Sequence, residues 1–253
     1  MITVDRVRKT FAGEAGASST LALDEVSFTV APQEFVCLVG PSGCGKTTIL
    51  KILAGLVAPD SGTVTIHGVR VTRPGPDRAM VFQQATLLPW SDVLTSVAFG
   101  LELRGMAKAE RDAIARDLIK AVGLDGFERH FPRHLSGGMQ QRVGLARALA
   151  VNPDILLMDE PFASVDAQTR RSLQEELLRL HADTRKTVIF VTHDIDEAVR
   201  LGDRVLLMSP RPGRIRETVA VALPRPRAGD VDGDARIARL KADLWRLLRT
   251  DRS

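Results

Sequence analysis

Gly40-Pro41-Ser42-Gly43-Cys44-Gly45-Lys46-Thr47 is the stretch on which the reading of this chain turns. Before it runs Phe35-Val36-Cys37-Leu38-Val39, which is short, apolar and of strand type. After it, Thr48-Ile49-Leu50-Lys51-Ile52-Leu53-Ala54-Gly55 places apolar residues at helical spacing and stops at a glycine. A glycine-rich turn between a buried strand and a helix is the setting in which a P-loop binds phosphate. Glycines let the backbone curl until successive N–H groups point inward at phosphate oxygens. The following helix aims its N-terminus, with about half a positive charge, at the same anion. Lys46 is placed to reach the β- and γ-phosphates, and the Thr47 hydroxyl to ligate Mg²⁺. The segment predicts a nucleoside triphosphate site; what hydrolysis would drive is read from the rest of the chain.

The 253 residues, 44% hydrophobic and 26% charged, suffice for one large globular unit or two intimate subdomains. No run of about 18 uncharged apolar residues is present, so no membrane-spanning helix is expected. Met1-Ile2-Thr3-Val4-Asp5-Arg6 lacks the apolar region of a signal peptide. Cys37 and Cys44 lie in the buried strand and the loop after it, and read as reduced thiols in a reducing cytosol rather than as a disulfide framework. Cys44, near a helix N-terminus, is also a candidate reactive thiol. The net charge of +4 is compatible with nucleic acid or an anionic membrane surface, but fits a mildly basic solvated surface better. With 4% aromatic residues and no tyrosine, there is little for single-stranded bases to stack on.

From Ile2 to Val30 polar and apolar residues alternate around a Gly/Ala/Ser-rich interruption from Ala12 to Thr20, which predicts two or three antiparallel strands joined by a hairpin loop. Phe11 closes the first of them. On local grounds it reads as core, although an aromatic there could stack on a flat base. Pro59-Asp60-Ser61-Gly62 reads as a turn, and Thr63-Val64-Thr65-Ile66-His67-Gly68 as a strand and a second turn, with no role for His67. Ala79-Met80-Val81-Phe82 is a short apolar strand that delivers Gln83-Gln84 to a strand end, where a glutamine can reach a nucleotide. Leu87-Leu88-Pro89-Trp90 is either an apolar partner contact or a loop with its tryptophan packed beneath it.

A helical pattern dominates from Val93 to Ala150 and predicts a subdomain inserted between strands. Ile114, Leu118 and Val122 recur at four-residue spacing before a glycine cap at Gly123. In Leu135-Ser136-Gly137-Gly138-Met139-Gln140-Gln141-Arg142, Ser136 is an N-cap, and Met139, Val143, Ala146 and Leu149 or Ala150 form a buried stripe. Gly137 and Gly138 are poor helix formers, whose use in a first turn is close approach to something large and anionic. Asp154-Ile155-Leu156-Leu157-Met158-Asp159-Glu160-Pro161 is an apolar strand ending in two acids, of the kind found in parallel sheets covered on both faces. Asp159 is placed to hold Mg²⁺. Glu160, expected to point to the other side of the strand, is placed to orient an attacking water. Thr187-Val188-Ile189-Phe190-Val191-Thr192 carries His193 to the same kind of strand end, where it can meet the γ-phosphate. A short helix from Ile195 to Leu201 and a strand from Arg204 to Ser209 follow. Beyond Pro210 the composition turns to Pro and Arg, before an amphipathic helix with Ile237, Leu240, Leu244, Leu247 and Leu248 on one face.

In content and order, over nearly the whole chain, these motifs resemble those of the ATP-binding subunit of an ABC transporter. They match its Walker A loop, glutamine loop, signature, Walker B strand with glutamate, and switch histidine. The most discriminating is the signature Leu135-Ser136-Gly137-Gly138-Met139-Gln140-Gln141, since other P-loop families lack it. The resemblance implies an α/β fold: a P-loop ATPase core with a mostly parallel sheet, an N-terminal antiparallel β subdomain and a helical insert. The implied division is 1–88, 89–150 with the signature, 151–220, and a C-terminal extension at 221–253. ATP and Mg²⁺ are the implied ligands. Gly40, Pro41, Ser42, Gly43, Cys44, Gly45, Lys46, Thr47 and Thr48 would hold the nucleotide, with Phe11 stacked on adenine. Ser136, Gly137, Gly138 and Asp166 complete the binding set, and Thr47, Gln83 and Asp159 the metal set. Glu160, His193 and Gln83 are the implied catalytic residues. The chain departs from the family where Ala163 replaces a glycine and Ser164-Val165 precede Asp166. Leu87-Leu88-Pro89-Trp90 and Arg211-Pro212-Gly213-Arg214-Ile215 look like the nitrate, sulfonate and taurine importer branch, with related pyrimidine-precursor importers as the alternative; that branch usually has asparagine where Ser96 stands.

In such a family the signature cannot reach the P-loop of its own chain, so two copies close head to tail around two ATP. Loss of the γ-phosphate removes the shared anion, and the loop from Gln83 to Trp90 passes the resulting motion to a separate membrane permease. The implied partners are therefore a second copy, permease subunits and, indirectly, a substrate-binding protein, at the cytoplasmic face of the membrane, with no nucleic acid. Rival readings are a soluble ABC-type ATPase acting on DNA or ribosomes, and a scaffold that binds ATP without turnover. The chain has neither long coiled-coil insertions nor a second cassette, and it retains Glu160 and His193.

Overall fold

The structure is a computed structural model and describes residues 1–13, 18–163, 165–225, 227 and 235–249. Part of the expected hairpin loop, at 14–17, and Ser164 lie outside the described residues. The chain forms two compact units, Met1–Gly75 with Arg185–Ser253, and Pro76–Thr184.

In the first unit, β1 (Ile2–Phe11) and β2 (Thr20–Val30) pair antiparallel, as their alternation predicts. On β2, Val26, Phe28 and Val30 are buried while Glu25, Ser27 and Thr29 face solvent. β4 (Ser61–Ile66) pairs with the other edge of β1, and β5 (Val69–Arg70) completes the order β2-β1-β4-β5. Ser61 and Gly62, expected in a turn, belong to β4. The pairing of β1 with β4 shifts register between Asp5 and Arg8, and this irregularity lets the strand begin inside the turn sequence.

A second sheet in this unit is built on β3 (Phe35–Val39), which lies parallel to β8 (Thr187–Thr192) and to β9 (Arg204–Met208). Every residue of β3 and β8 is buried, as befits parallel strands covered on both faces. β10 (Ile215–Ala220) adds antiparallel to β9. Its sequence gives no strand signal, because it runs along an edge and is at most half-buried. Three helices belong here: α1 (Lys46–Ala54), α6 (Ile195–Leu201) and α7 (Ala235–Arg249). α1 buries Ile49, Leu50, Ile52 and Leu53 despite an opening run of β-branched residues, so packing outweighs propensity. It ends where expected: Gly55 takes the left-handed conformation, and the Leu56 N–H donates to Lys51 O at 2.9 Å. On α7, Ile237 and Leu244 are buried and Leu240, Leu247 and Leu248 half-buried, the face that the spacing predicts.

The second unit contains the parallel pair β6 (Arg78–Val81) and β7 (Ile155–Asp159) and the helices α2 (Val93–Leu103), α3 (Lys108–Ala121), α4 (Gly137–Ala150) and α5 (Ala167–Thr184). Val97 and Leu101 of α2, Ala115 and Ile119 of α3, and Val143 and Ala146 of α4 share one apolar core. The expected stripe of α3 holds in part: Val122, which caps the helix, is buried, but within α3 the buried positions are Ala115 and Ile119, and Ile114 and Leu118 only flank them. Arg142 ties the helices together. Its Nη1 donates to Val122 O at 2.8 Å, and it pairs with Glu176 of α5 at 3.1 Å. Burial raises the Glu176 pKa, and the Arg142 charge opposes that shift. No helix of the described residues is long and apolar enough to cross a membrane.

Candidate functional site

The first unit assembles the phosphate loop. β3 ends at Val39, the turn begins at Gly40, and α1 starts at Lys46 with Gly45 as its N-cap. Gly45 has φ 105°, and a Cβ there would stand 2.6 Å from Leu23 Cδ2 and 2.9 Å from Ala22 O, so both conformation and space require glycine. No side chain caps α1, which leaves its N-terminus to an anion. Lys46 is buried, and its ammonium donates to Gly40 O at 2.9 Å and Pro41 O at 3.0 Å, folded back over the loop it would serve. Thr47 is exposed and Thr48 half-buried in the first helical turn. Cys37 and Cys44 are both buried and form no disulfide. Burial, reinforced by the charge of Glu197, pushes the Cys37 thiol pKa far up. At 1% exposure Cys44 is no reactive surface thiol, which corrects that expectation.

The same unit places His193 beside the loop. Val39 and Thr192 are partners across β3 and β8, so Gly40 and His193 leave adjacent strand ends. His193 is exposed, and the backbone around it is fixed. Thr192 Oγ1 donates to buried Glu197 Oε2 at 2.6 Å and accepts from the Asp194 N–H at 3.0 Å. Asp194 then caps α6, accepting from the Asp196 and Glu197 N–H groups. Phe11 is 41% exposed with Lys9 Nζ 5.6 Å from its ring centroid, so the local reading of it as core is corrected. It pairs with Thr20 at the end of β2 that leads to Ala22 and Leu23, which touch Gly45.

The second unit brings the acids and the glutamine together. Val81 and Met158 are partners in the parallel pair, so Gln83, just beyond β6, and Asp159, the last residue of β7, lie at the same strand ends. Asp159 is buried and Gln83 exposed. Glu160 is not a strand residue. It follows β7 with φ 43°, a left-handed conformation, so this backbone turn and not strand alternation sets its direction. In the same unit Ser136 caps α4, its Oγ accepting from the Met139 N–H at 3.3 Å. Gly138 lies against α5, where a Cβ would stand 2.9 Å from Thr169 Cγ2. Asp166 is also an N-cap: its Oδ1 accepts from the Thr169 N–H at 3.0 Å, and that bond holds its carboxyl below the usual pKa. Gln141 and Arg147 belong to the site's surroundings and were not anticipated. The Gln141 side-chain amide donates to Gln83 O, and Arg147 donates to Ala85 O at 2.9 Å and Thr86 O at 3.1 Å. Polar and cationic residues on an otherwise apolar helix were the signal available for them.

A strand–phosphate loop–helix in one unit, with an acid-tipped parallel strand and a capped glycine helix in the other, defines a P-loop nucleotide-binding protein. The ABC transporter family matches residues 23–163, more than half of the chain. An uncharacterized ABC transporter ATP-binding protein of Methanocaldococcus jannaschii is 54% identical over 89% of this chain and 84% of its own. Taurine import ATP-binding proteins are 50% identical: that of Rhizobium johnstonii over 85% of this chain and 82% of its own, that of Yersinia pestis over 79% and 78%. Among solved structures, a dimeric post-hydrolysis ATP-binding cassette bound to ADP and Pi superposes with TM-score 0.79 at 34% identity, over 88% of this chain and all of its own. The chain belongs to the ABC transporter family and is an ATP-binding ATPase.

Proposed function

We propose that this protein is the ATP-hydrolysing subunit of an importer for a small anion such as taurine, another sulfonate or nitrate. The observation that carries the reading is the 50% identity to taurine import ATP-binding proteins over most of both chains. In this reading the Gly40–Thr48 segment and Phe11 hold ATP, with Lys46 turning from its loop carbonyls to the phosphates. Thr47, Gln83 and Asp159 offer the hard oxygen ligands that Mg²⁺ takes alongside phosphate oxygens. The donor set fits: Asp159 is a buried strand-end carboxylate and Thr47 opens an uncapped helix. Bound Mg²⁺ would neutralise charge on the phosphates. Glu160 polarises the attacking water, His193 and Gln83 steady the γ-phosphate and the water, and Ser136, Gly137 and Gly138 meet the nucleotide of a second copy near Asp166. The dimeric state of the related cassette supports that pairing. The protein would act at the cytoplasmic face of the membrane, on permease subunits served by a substrate-binding protein.

Reconstitution with the cognate permease and substrate-binding protein tests the reading. ATPase activity that rises when taurine, an alkanesulfonate or nitrate is added supports it. A complex stimulated only by a solute of another class, such as a pyrimidine precursor, overturns the substrate assignment.

A further inference from the structure

The turn between β9 and β10 carries a cation to the phosphate loop; Arg211 served above only within Arg211-Pro212-Gly213-Arg214-Ile215 as a mark of the importer branch, with no part in nucleotide binding. The turn is fixed at several points. The Ser209 N–H donates to Arg214 O at 3.0 Å, while Ser209 Oγ accepts from the Arg214 N–H at 3.0 Å and donates to Pro212 O at 3.0 Å. The Gly213 N–H donates to Ala22 O at 2.9 Å, and Gly213 O accepts from the Asp24 N–H at 3.0 Å. Gly213 lies so near the phosphate loop that a Cβ on it would stand 2.0 Å from Cys44 O. Arg214 pairs with Asp24, a buried carboxylate that Arg8 also holds at 3.1 Å. Arg214 therefore has a carboxylate partner within the fold.

Arg211 is in a different position. Its side chain is exposed, its Nε donates to Gly43 O at 3.1 Å, and its Nη2 stands 3.2 Å from where a Gly43 Cβ would be. No carboxylate pairs with it among the described residues. One N–H is tied to the loop, and the rest of the guanidinium fork has no protein partner there. An unpaired guanidinium held beside the glycine-rich loop is suited to phosphate oxygens, which it can meet with parallel N–H donors. A rigid turn delivers it, so little ordering cost remains on binding.

We propose that Arg211 is a further ATP-binding residue: tethered through Gly43, it adds positive charge at the phosphate loop for the incoming triphosphate. This rests on the Gly40–Thr48 loop holding the phosphates. Tether and charge are separable. Arg211→Gln keeps an N–H donor for Gly43 O and loses the charge, Arg211→Lys keeps the charge, and Arg211→Ala loses both.

The experiment is calorimetric titration of ATP into the wild type, these three variants and Lys46→Ala, with thermal melts of each protein. ATP Kd is expected to rise about tenfold in Arg211→Ala and Arg211→Gln, and less than about threefold in Arg211→Lys. Wild-type affinity in Arg211→Gln, or a loss in Arg211→Lys equal to that in Arg211→Gln, overturns the proposal. Should Arg211→Ala melt early, the Gln and Lys variants carry the comparison. Unchanged affinity in Lys46→Ala instead faults the phosphate loop assignment, and the proposal falls with it.

Discussion

Glu160 sits one residue past β7 in a left-handed turn, in a unit whose strand ends also carry Asp159 and Gln83. Glu160→Gln preserves size and hydrogen-bonding shape but cannot take a proton. It is expected to keep ATP binding and to lower turnover about 10²-fold or more, the scale of a lost general base. Wild-type turnover in a phosphate-release assay would remove Glu160 from that role. Asp60 gives a second residue-scale expectation. Hydrogen bonds from the Lys9 ammonium at 2.8 Å and the Thr10 N–H at 2.6 Å hold its carboxyl below the ordinary carboxylate pKa. A lowered folded pKa means that the stabilisation is complete above the unfolded value and is lost as pH falls through the folded one. Asp60→Asn is therefore expected to lower stability near neutrality by about 0.5 kcal/mol at most, given its exposure, and to converge with the wild type as pH falls through the lowered folded pKa. Melting curves across pH 2 to 7 check this, and a constant gap at all pH values would contradict it. Residue type and spacing make Glu160 and its neighbour candidates. The sequence could not give the orientation of Glu160, because a positive φ at a non-glycine residue leaves no mark on it.

At the scale of elements, legibility followed burial. β3, β7 and β8 are buried at every position and were read from apolar runs alone. β10 and α5 went unread for the opposite reason. β10 is an edge strand with mixed side chains, and α5 buries Leu173 and Leu177 together with the polar Gln174, Glu176 and His181 within a charged sequence. Ser136 was read as a cap from the sequence and Gly55 as a helix stop, whereas the aspartate caps were not read. Asp92 performs the same service for α2, accepting from the Thr95 N–H at 2.8 Å. Burial works against the ionised Asp92, but the Thr95 bond and the Arg129 charge outweigh it and lower its pKa. Asp92→Ala is expected to cost about 1 kcal/mol, the usual worth of an N-cap, read from denaturant midpoints at unchanged slope; an unshifted midpoint would deny the cap its role. In the β9–β10 turn, Gly213→Ala would drive a methyl into Cys44 O. An overpacking cost of about 1–3 kcal/mol is expected, with weaker ATP binding, and a variant with wild-type melting and affinity would contradict the close approach.

For the whole molecule, the proposed dimer and the proposed permease contact supply the tests. Glu160→Gln is expected to migrate as a dimer in scattering-coupled chromatography when ATP is present and as a monomer without nucleotide. A monomer under both conditions would argue against the shared ATP. Trp90 is 73% exposed, which resolves the alternatives at the Leu87–Trp90 loop in favour of a surface tryptophan. Trp90→Ala is expected to leave basal ATPase activity unchanged and to reduce its stimulation by the permease. Equal stimulation in proteoliposomes would exclude a contact there.

The bonds from Gln141 and Arg147 to the carbonyls of Gln83, Ala85 and Thr86 bear on how a mechanical signal travels. The segment after β6 is laced along α4, the helix whose N-cap is Ser136. Under the proposed function, a pull on that segment would reach α4 directly through these bonds. If the proposed importer role holds, coupling strength becomes a property of the lacing, and cutting these stitches one at a time would uncouple the motor by degrees.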